Sequence, residues 1–339
     1  MRNNKYRFTK RTLHACAAGF ALIGLTATAF AQATLDELAW AYAISPEFPQ
    51  APDDGTVHLL PGAPRGFTLD QIRARFGPAD WFPGDHPAMP PIVAVGREQA
   101  GIWACALCHY PNGQGKAENA GVAGLQSGYF IQQLHDMRDG LRRSANVEKA
   151  NTNLMVAYAQ NMTDAEMEAA AQYFGSMQWR PWIEVVETDT VPTTYLRGGL
   201  HLRFEGEQAG EEPLGRRIVE SPVDTQGTET LRNPRSGFIA YVPVGAVAAG
   251  EALATTGGDT TIQCAICHGE ALDGLGLVPS LRGRSPSYVA RQLFDFQAGT
   301  RRGTWAPLMQ AVVARLSADD MLELAAYLAS LPPMSDASR

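Results

Sequence analysis

Apolar residues recur at helical spacing in two segments, 165–177 and 318–331. Each has three apolar residues spaced three or four apart, namely Met167, Ala171 and Phe174 in the first and Met321, Leu324 and Leu328 in the second. This spacing places the apolar side chains on one face of a helix. Residues with capping-box spacing precede both helices, Thr163 with Glu166 and Ser317 with Asp320. The pattern therefore predicts two amphipathic helices with defined N-termini.

Shorter patterns predict the remaining secondary structure. Residues 129–138 and 288–297 are typical of a middle helix, and residues 35–42 of a short helix. Residues 183–188 and 200–204 resemble the strands of a hairpin or small sheet. Gly (33) and Pro (22) are frequent, so we expect long irregular connections.

The chain contains an internal repeat of about ninety residues. A shift of 159 residues superposes residues of the same type, namely Tyr129 on Tyr288, Gln133 on Gln292, Leu134 on Leu293, Gly140 on Gly299, Arg142 on Arg301 and Arg143 on Arg302. The first copy has five extra residues near 144–151, so the shift after this segment is 154 residues. At this shift Met155 superposes on Met309 and Tyr173 on Tyr327. A duplicated domain explains this pattern.

Each copy contains the sequence Cys-x-x-Cys-His. The first motif consists of Cys105, Cys108 and His109, and the second consists of Cys264, Cys267 and His268. Two thiols three residues apart on a helix can add to both vinyl groups of one haem, and the imidazole that follows can bind the iron. A zinc site or two disulfides could also use these cysteines, but neither explains a histidine after both pairs. The motifs therefore predict two covalently bound haem c groups.

The repeat also nominates the second axial ligand of each iron. Met155 and Met309 occupy equivalent positions, and we expect both in a loop before the last helix of their copy. A thioether sulfur suits an iron that cycles between the ferrous and ferric states. Four other methionines lie in or near the predicted helices and are expected in hydrophobic cores, namely Met162, Met167, Met177 and Met321.

These motifs resemble those of a class I cytochrome c domain. The second copy carries the following matches: Cys264-Ala-Ile-Cys-His268-Gly269, Pro279-Ser-Leu-Arg-Gly283, Tyr288-x-x-x-Gln292-Leu293, Gly299-x-Arg301, Met309 and Tyr327-Leu328. In tandem, the copies are similar to the dihaem cytochrome c4 type over about 90–182 and 238–333. The resemblance implies small helical domains, His/Met-ligated haems and electron carriage to a terminal oxidase or reductase.

The first copy departs from this family pattern at two positions. The resemblance implies that the residue matching Pro279 offers its carbonyl to the haem histidine, and the first copy has Ala120 there. It also has Tyr110 where the second copy has Gly269. Because of Ala120 and the longer segment before Met155, we expect Met155 to leave its iron more easily than Met309 does.

The expected fold is mainly α, with two tandem class I cytochrome c domains, an irregular N-terminal extension and a small β-containing insertion between the domains. The expected boundaries are 1–31 for a signal peptide, 32–88 for the extension, 89–182 for the first domain, 183–237 for the insertion and 238–333 for the second domain. We expect the extension to wrap the first haem domain.

The first 31 residues have the pattern of an export signal. Basic residues precede an apolar run from Ala15 to about Leu25, and Ala29-Phe30-Ala31 provides a small-x-small cleavage pattern. The alternative is a retained membrane anchor, but the run is shorter than the ~20 apolar residues of a spanning helix. We expect a periplasmic protein, cleaved after Ala31.

Charge limits the classes of partner. The whole chain has 28 basic and 35 acidic residues, and loss of the five basic residues in 1–31 changes the net charge from −7 to −12. So acidic a chain is a poor nucleic-acid binder. Only Lys116 and Lys149 remain as lysines, so docking cannot depend on a ring of lysines.

Several polar residues have less specific interpretations. We expect His58, His86 and His201 in exposed loops, and His135 at a packed or surface position of the middle helix. The paired arginines of the repeat are either solvated charges or contacts of haem propionates, namely Arg142, Arg143, Arg301 and Arg302.

The leading hypothesis is a periplasmic dihaem cytochrome that carries single electrons and has no catalytic residues. Its expected partners are redox proteins (an oxidase, a reductase or a dehydrogenase), with membrane association only through such a complex. The first alternative is a cytochrome subunit dedicated to one dehydrogenase or oxidase, which the extension and insertion favour. The second is a dihaem peroxidase, which needs an open position on one iron, whereas both copies here have a methionine.

Overall fold

The computed structural model describes Met1, residues 32–46 and residues 49–333. The expected signal peptide lies outside these described residues, apart from Met1. No helix within the described ranges is both long enough and apolar enough to cross a membrane.

Helices form most of the two copies of the repeat. The helices are α1 (Leu69–Arg73), α2 (Pro91–Ala94), α3 (Cys105–His109), α4 (Ser127–Arg138), α5 (Ala150–Asn161), α6 (Asp164–Gly175), α7 (Thr225–Glu229), α8 (Ala246–Thr256), α9 (Ala265–His268), α10 (Pro286–Gln297), α11 (Ala306–Val313) and α12 (Ala318–Ser330). The series α3 to α6 of the first copy corresponds to α9 to α12 of the second. Both ends of α4 superpose on those of α10 at the shift of 159, so the predicted middle helices are confirmed.

Capping boxes begin α6 and α12, as predicted. The backbone N–H of Thr163 donates to Glu166 Oε2 over 2.8 Å, and that of Ser317 donates to Asp320 Oδ2 over 2.8 Å. These bonds fix where each helix begins, because the first N–H groups of a helix have no partner within it. The methionines expected in the cores, Met162, Met167, Met177 and Met321, are buried.

The two candidate ligand methionines lie in helices, which corrects the expectation of loops. Met155 lies in α5 and Met309 lies in α11. The segment of α5 contains neither Gly nor Pro, and this helix packs against α4. Pro307 occupies the first turn of α11, where its fixed φ favours a helix start and its missing N–H is not needed.

Strands occupy the segment between the two copies. They are β1 (Ile183–Glu187), β2 (Thr190–Pro192), β3 (Thr194–Arg197), β4 (Leu200–Arg203), β5 (Glu211–Pro213), β6 (Val219–Pro222) and β7 (Phe238–Val242). β7 lies between β1, to which it runs parallel, and β6, to which it runs antiparallel. β2 pairs with β5, and β3 and β4 form a hairpin. The predicted strands at 183–188 and 200–204 are therefore confirmed as β1 and β4.

Each copy has its own hydrophobic core. In the first, buried residues of α4, α5 and α6 pack around Leu134, Val156 and Phe174. In the second, α8, α10 and α12 supply the core. α8 crosses α12 so closely that a Cβ at Gly250 would collide with the carbonyl of Glu323, so only glycine fits there.

The N-terminal extension contacts both copies, which corrects the expectation that it wraps the first. The ring of Tyr42 packs edge-on against Phe294 of α10, with centroids 6.2 Å apart, and its hydroxyl donates to Asp295 Oδ1 over 2.7 Å. Further along, the carbonyl of Arg75 accepts from the N–H of Ala104, just before α3, over 2.9 Å. Burial of the apolar turn at Tyr42 is what attaches the beginning of the extension to the second copy.

Backbone hydrogen bonds join the two copies directly. The N–H of Arg143 donates to the carbonyl of Thr300 over 2.9 Å, and the N–H of Arg302 donates to that of Leu141 over 2.7 Å. Equivalent residues of the repeat thus face each other, and the described residues beyond 31 pack as one compact unit.

Candidate functional site

The first Cys-x-x-Cys-His motif is carried by the short helix α3. His109 is buried, and its Nδ1 lies 2.8 Å from the carbonyl oxygen of Ala120. A carbonyl can only accept, so Nδ1 carries the hydrogen and Nε2 keeps its lone pair. Burial lowers the pKa of His109, which favours the neutral imidazole that a metal ligand requires.

The second motif repeats this arrangement in α9. Nδ1 of His268 lies 2.8 Å from the carbonyl oxygen of Pro279, and burial lowers the pKa of His268 as well. The alanine in place of proline therefore leaves the length of the hydrogen bond in the first copy unchanged. Each histidine presents one free nitrogen lone pair, held in a fixed orientation.

A cavity in the first copy brings two of the predicted ligands together. His109 and Met155 both line it. Apolar side chains form much of its wall, namely Val122, Leu125, Phe130, Leu134 and Met137. In the second copy, Met309 packs with Cys264 against the hydrophobic core.

The four cysteines of the described residues form no disulfide with one another. Burial raises the pKa of Cys105 to about 12 and that of Cys264 to about 11. No group of three or more His, Cys, Asp or Glu side chains in the described ranges is arranged to hold a metal ion. The two cysteine pairs belong to different copies and do not form a shared four-cysteine site.

The residue after each histidine has a left-handed backbone. In the second copy it is Gly269, with φ 83°, and in the first it is Tyr110, with φ 62°. A positive φ is strained for tyrosine and free for glycine. The ring of Tyr110 is buried and meets Trp182 edge-on, with centroids 6.4 Å apart. Aromatic packing with Trp182, the last residue before the inserted segment, thus holds the strained conformation.

Arg142 joins the two copies near the first cavity. It donates to Gln133 Oε1 of its own copy over 3.1 Å. It also donates to the hydroxyl of Tyr288 over 3.0 Å and to Gln292 Oε1 over 2.9 Å, both on α10. Its guanidinium is buried and also lines the cavity that holds His109.

Arg301 makes the equivalent set of bonds in the opposite direction. It donates to Gln292 of its own copy over 3.1 Å, and to Tyr129 and Gln133 of the first copy over 2.8 Å each. Tyr129, Gln133 and Arg142 of the first copy thus form a pseudo-symmetric interface with their counterparts in the second. The sequence marked these residues as repeated without revealing that they contact each other.

The other histidines differ from the sequence expectation. His201 lies in β4, where burial lowers its pKa to about 4. His86 Nε2 lies 3.2 Å from Asp80 Oδ1, and His58 pairs through its backbone with Phe67. All three are partly buried, so the prediction of exposed loops is wrong. His135 lies on α4 and is half-buried, as expected.

The donors in each copy fit a covalently attached haem. Both copies offer two thiols on one helical turn and a neutral imidazole with a fixed tautomer, and the cavity of the first adds a thioether and an apolar wall. A c-type haem needs these groups, because thiols attach it and imidazole with thioether ligates its iron.

Comparisons with known proteins agree with this donor set. A family model described as cytochrome c matches residues 94–178. Over 80 residues the chain is 38% identical to cytochrome c-554(548) of Halomonas halodenitrificans, a match that covers 23% of this chain and 94% of the relative.

Longer matches extend over both copies. The chain is 24% identical to cytochrome c4 of Pseudomonas aeruginosa over 243 residues, which cover 70% of this chain and 88% of the relative. It is 24% identical to the thiosulfate dehydrogenase electron acceptor of Stutzerimonas stutzeri over 244 residues, which cover 71% of this chain and 84% of the relative. A solved structure of cytochrome c4 from Acidithiobacillus ferrooxidans is 22% identical, with a TM-score of 0.43, over 67% of this chain and 98% of the other. By its sequence relatives, the chain belongs to the cytochrome c family.

Proposed function

We propose that this chain is a periplasmic dihaem cytochrome that carries single electrons between respiratory donors and acceptors. Cys105 and Cys108 would attach one haem c, with His109 and Met155 as its axial ligands. The second copy supplies the equivalent set, Cys264, Cys267, His268 and Met309.

The observation that supports this proposal most strongly is the repeated histidine hydrogen bond. His109 to Ala120 and His268 to Pro279 have the same length of 2.8 Å, although the accepting residues differ. This bond holds each ring in one tautomer and one orientation, as metal-binding histidines require. A packed core histidine has no reason to recur directly after two cysteine pairs.

Haem c supplies a metal centre that changes its charge by one electron without breaking bonds. The chain's own residues bind and orient it. His109 and Met155 would supply the imidazole and the thioether that bind the iron, and the apolar wall with Val122, Leu134 and Met137 would exclude water. Axial ligand and burial are two of the levers by which a protein sets haem potential.

A dedicated role beside one dehydrogenase is the second candidate function. One relative carries the name thiosulfate dehydrogenase electron acceptor, and another is named as the cytochrome subunit of sulfide dehydrogenase. The extension and the inserted strands exceed what a minimal two-domain carrier needs. A dedicated partner should therefore co-purify with the chain from its native source.

Haem attachment is tested by mass spectrometry of the chain produced in a host that matures c-type cytochromes. We expect the wild-type mass to include two haems, resistant to acid extraction. Cys105→Ala with Cys108→Ala should lose one haem, and Cys264→Ala with Cys267→Ala should lose the other. A wild-type mass with fewer than two haems would contradict the proposal.

Electron carriage is tested separately from haem content. The reduced protein should deliver two electrons per chain to an oxidant in a stopped-flow titration. It should not turn over hydrogen peroxide, since a peroxidase needs an open position on one iron. Peroxide consumption at enzymic rates by the half-reduced protein would replace the carrier assignment with the peroxidase one.

A further inference from the structure

The two motifs differ sharply in exposure at equivalent positions. Leu107, between the cysteines of the first motif, is 6% exposed, whereas its counterpart Ile266 is 64% exposed. Cys108 is partly buried and its counterpart Cys267 is exposed. The chain therefore covers one motif and leaves the other open.

The loops that follow the two motifs also differ, both in exposure and in the type of side chain. In the first copy, Lys116 and Glu118 are buried and form an ion pair with a nitrogen–oxygen distance of 2.7 Å. At the shift of 159 residues these positions become Leu275 and Leu277, which are exposed. A buried charge pair in one copy is thus replaced by solvent-facing leucines in the other.

The inserted segment covers the first motif. The tight turn of the β3–β4 hairpin lies against the loop, because a Cβ at Gly199 would come 3.0 Å from Cβ of Glu118. Arg232 donates to the carbonyl of Leu107. Trp182, the last residue before the insertion, packs on Tyr110. These contacts account for the low exposure of Leu107 and of Tyr110, the residue after the motif.

Around the second motif lies an apolar surface that we name the open patch. It consists of five exposed residues, Ile262, Ile266, Leu275, Trp305 and Leu308. Two hydrogen bonds connect the segments that carry these residues. Gly274 donates to the carbonyl of His268 over 2.8 Å, and the hydroxyl of Thr261 donates to the carbonyl of Val312 on α11 over 2.8 Å. Clustered exposed apolar residues of this kind mark interaction sites.

Three exposed carboxylates, of Asp259, Glu270 and Asp273, and two arginines lie beside the open patch. Arg282 donates to the carbonyl of Ala271 over 2.7 Å, and Arg315 donates to the carbonyl of Asp259. Residues 262–277 themselves contain no lysine or arginine. The lysines of the described chain, Lys116 and Lys149, are both buried elsewhere. Because carboxylates outnumber arginines here and the whole chain has 35 acidic against 28 basic residues, a partner that fits this surface needs an apolar contact area with a cationic rim.

We propose that the open patch is where an electron-transfer protein with an apolar, lysine- or arginine-rimmed surface docks, so that electrons pass between that protein and this chain through the second copy. The inference rests on the electron-carrier function proposed above. In the exchange, one electron leaves the partner's reduced metal centre and reduces the ferric haem of the second copy, and no bond or proton is transferred. The insertion has the role of closing the equivalent route at the first copy.

The test uses the full haem-loaded chain and two probe proteins of opposite charge, a lysine-rich mitochondrial-type cytochrome c and an acidic plastocyanin-type copper protein. The wild type should exchange electrons faster with the cationic probe, and that rate should fall as salt increases. Ile266→Asn with Leu275→Asn should lower the rate about tenfold, as removal of central apolar contacts does. Glu270→Lys with Asp273→Lys should slow exchange with the cationic probe and accelerate exchange with the acidic one.

The matched control is Val147→Asn, which changes an exposed valine of the first copy and should leave the rate unchanged. Amide NMR shifts on adding the oxidised cationic probe give a readout independent of electron transfer. They should cluster at residues 262–277 and Trp305 and be absent from β3 and β4. Unchanged rates in both double variants, an equal loss in Val147→Asn, or shifts confined to the insertion would overturn the docking proposal. Loss of a haem in the wild type would instead overturn the proposed function.

Discussion

Nδ1 of His109 donates a hydrogen bond to the carbonyl oxygen of Ala120 over 2.8 Å. The equivalent bond from His268 ends on a proline, Pro279, and has the same length. The N–H of Gly115 also donates to the His109 carbonyl, over 3.1 Å, which ties the start of the loop to the motif. The proline ring is not what holds this carbonyl in place.

That relationship, together with the helical setting of Met155, reverses the expected order of methionine displacement. Met155 lies in the twelve-residue helix α5 against the first core, whereas Met309 lies in the eight-residue helix α11 beside exposed Trp305 and Leu308. A shorter and more exposed element opens at lower free energy. We therefore expect imidazole to displace Met309 first in the oxidised protein, as followed by the methionine–iron charge-transfer band.

Two variants assign the steps of that titration. Met309→Ala should remove the step at lower imidazole concentration, and Met155→Ala should remove the other. Met162→Leu, a change within the first core at a position that matches Leu316, should leave both steps in place. Loss of the easier step in Met155→Ala would restore the order expected from the sequence.

Tyr110 should show an unusual ranking of substitutions. Its positive φ of 62° penalises any residue with a Cβ, so Tyr110→Gly should be more stable than Tyr110→Ala by about 1 kcal/mol, although both lose the buried ring. Urea unfolding measures the difference. Trp182→Gly and Trp182→Ala are the control pair, and there alanine should be the more stable. A normal ranking at Tyr110 would show that its backbone relaxes without cost.

The arginine interface should be equally sensitive in both copies. Arg142→Leu or Arg301→Leu leaves a buried tyrosine hydroxyl and two glutamine oxygens with fewer donors, so each should cost about 1–3 kcal/mol of unfolding free energy. Gln133 and Gln292 each accept from both arginines, so only the double variant removes both donors of each oxygen, and it should cost more than the sum of the single ones. Arg302→Gln, at an exposed side chain, should be nearly neutral. Additive losses would show that the two arginines act independently.

Lys149 should make stability depend on pH. Burial, reinforced by repulsion from Arg291 and opposed by attraction to Glu118, lowers its pKa to about 7. The unfolded chain, with a lysine pKa of about 10.4, binds a proton that the folded chain lacks between these values. Stability should therefore rise as the pH increases from about 7 to about 10.4, as measured by thermal melts.

Lys149 Nζ donates to the carbonyl of Ala43 over 3.3 Å but forms no ion pair within the described residues. Lys149→Met should remove this rise and stabilise the protein by about 2 kcal/mol at pH 6, because a buried ammonium without an ion pair is replaced by an apolar chain. Lys116→Met is the opposite case. Lys116 lies 2.7 Å from buried Glu118, so its removal should destabilise the protein by about 3 kcal/mol. Equal effects of the two substitutions would contradict the assignment of Lys149 as the lysine without an ion pair.

Local signals predicted much of the helical framework. The ends of α4 and α10 and the capping boxes of α6 and α12 depend on residues within a few positions of each other. The helix around Met155 was missed, because its apolar residues 154–156 are consecutive and form no single stripe. Helix α5 is decided by packing against α4, a contact that periodicity does not encode.

The positions of the polar residues likewise depend on tertiary contacts that local sequence does not reveal. The pattern at 200–204 predicts a strand but not which of its side chains are covered, and His201, paired with Leu196 of β3, is partly buried. The repeated arginines, glutamines and tyrosines were visible as matches, but their cross-copy bonds join residues about 150 positions apart. No local pattern reveals such a pair.

By itself, the sequence determined the chemistry that each copy can offer. The order of two cysteines and a histidine on one turn, and a methionine repeated at an equivalent position, follow from covalent spacing alone. The tertiary structure decided which copy faces outward. Leu107 is covered and Ile266 is open because Gly199 and Arg232, about a hundred residues away along the chain, fold back onto the first copy only. Exposure depends on such distant contacts, and two nearly identical motifs can therefore have opposite surfaces.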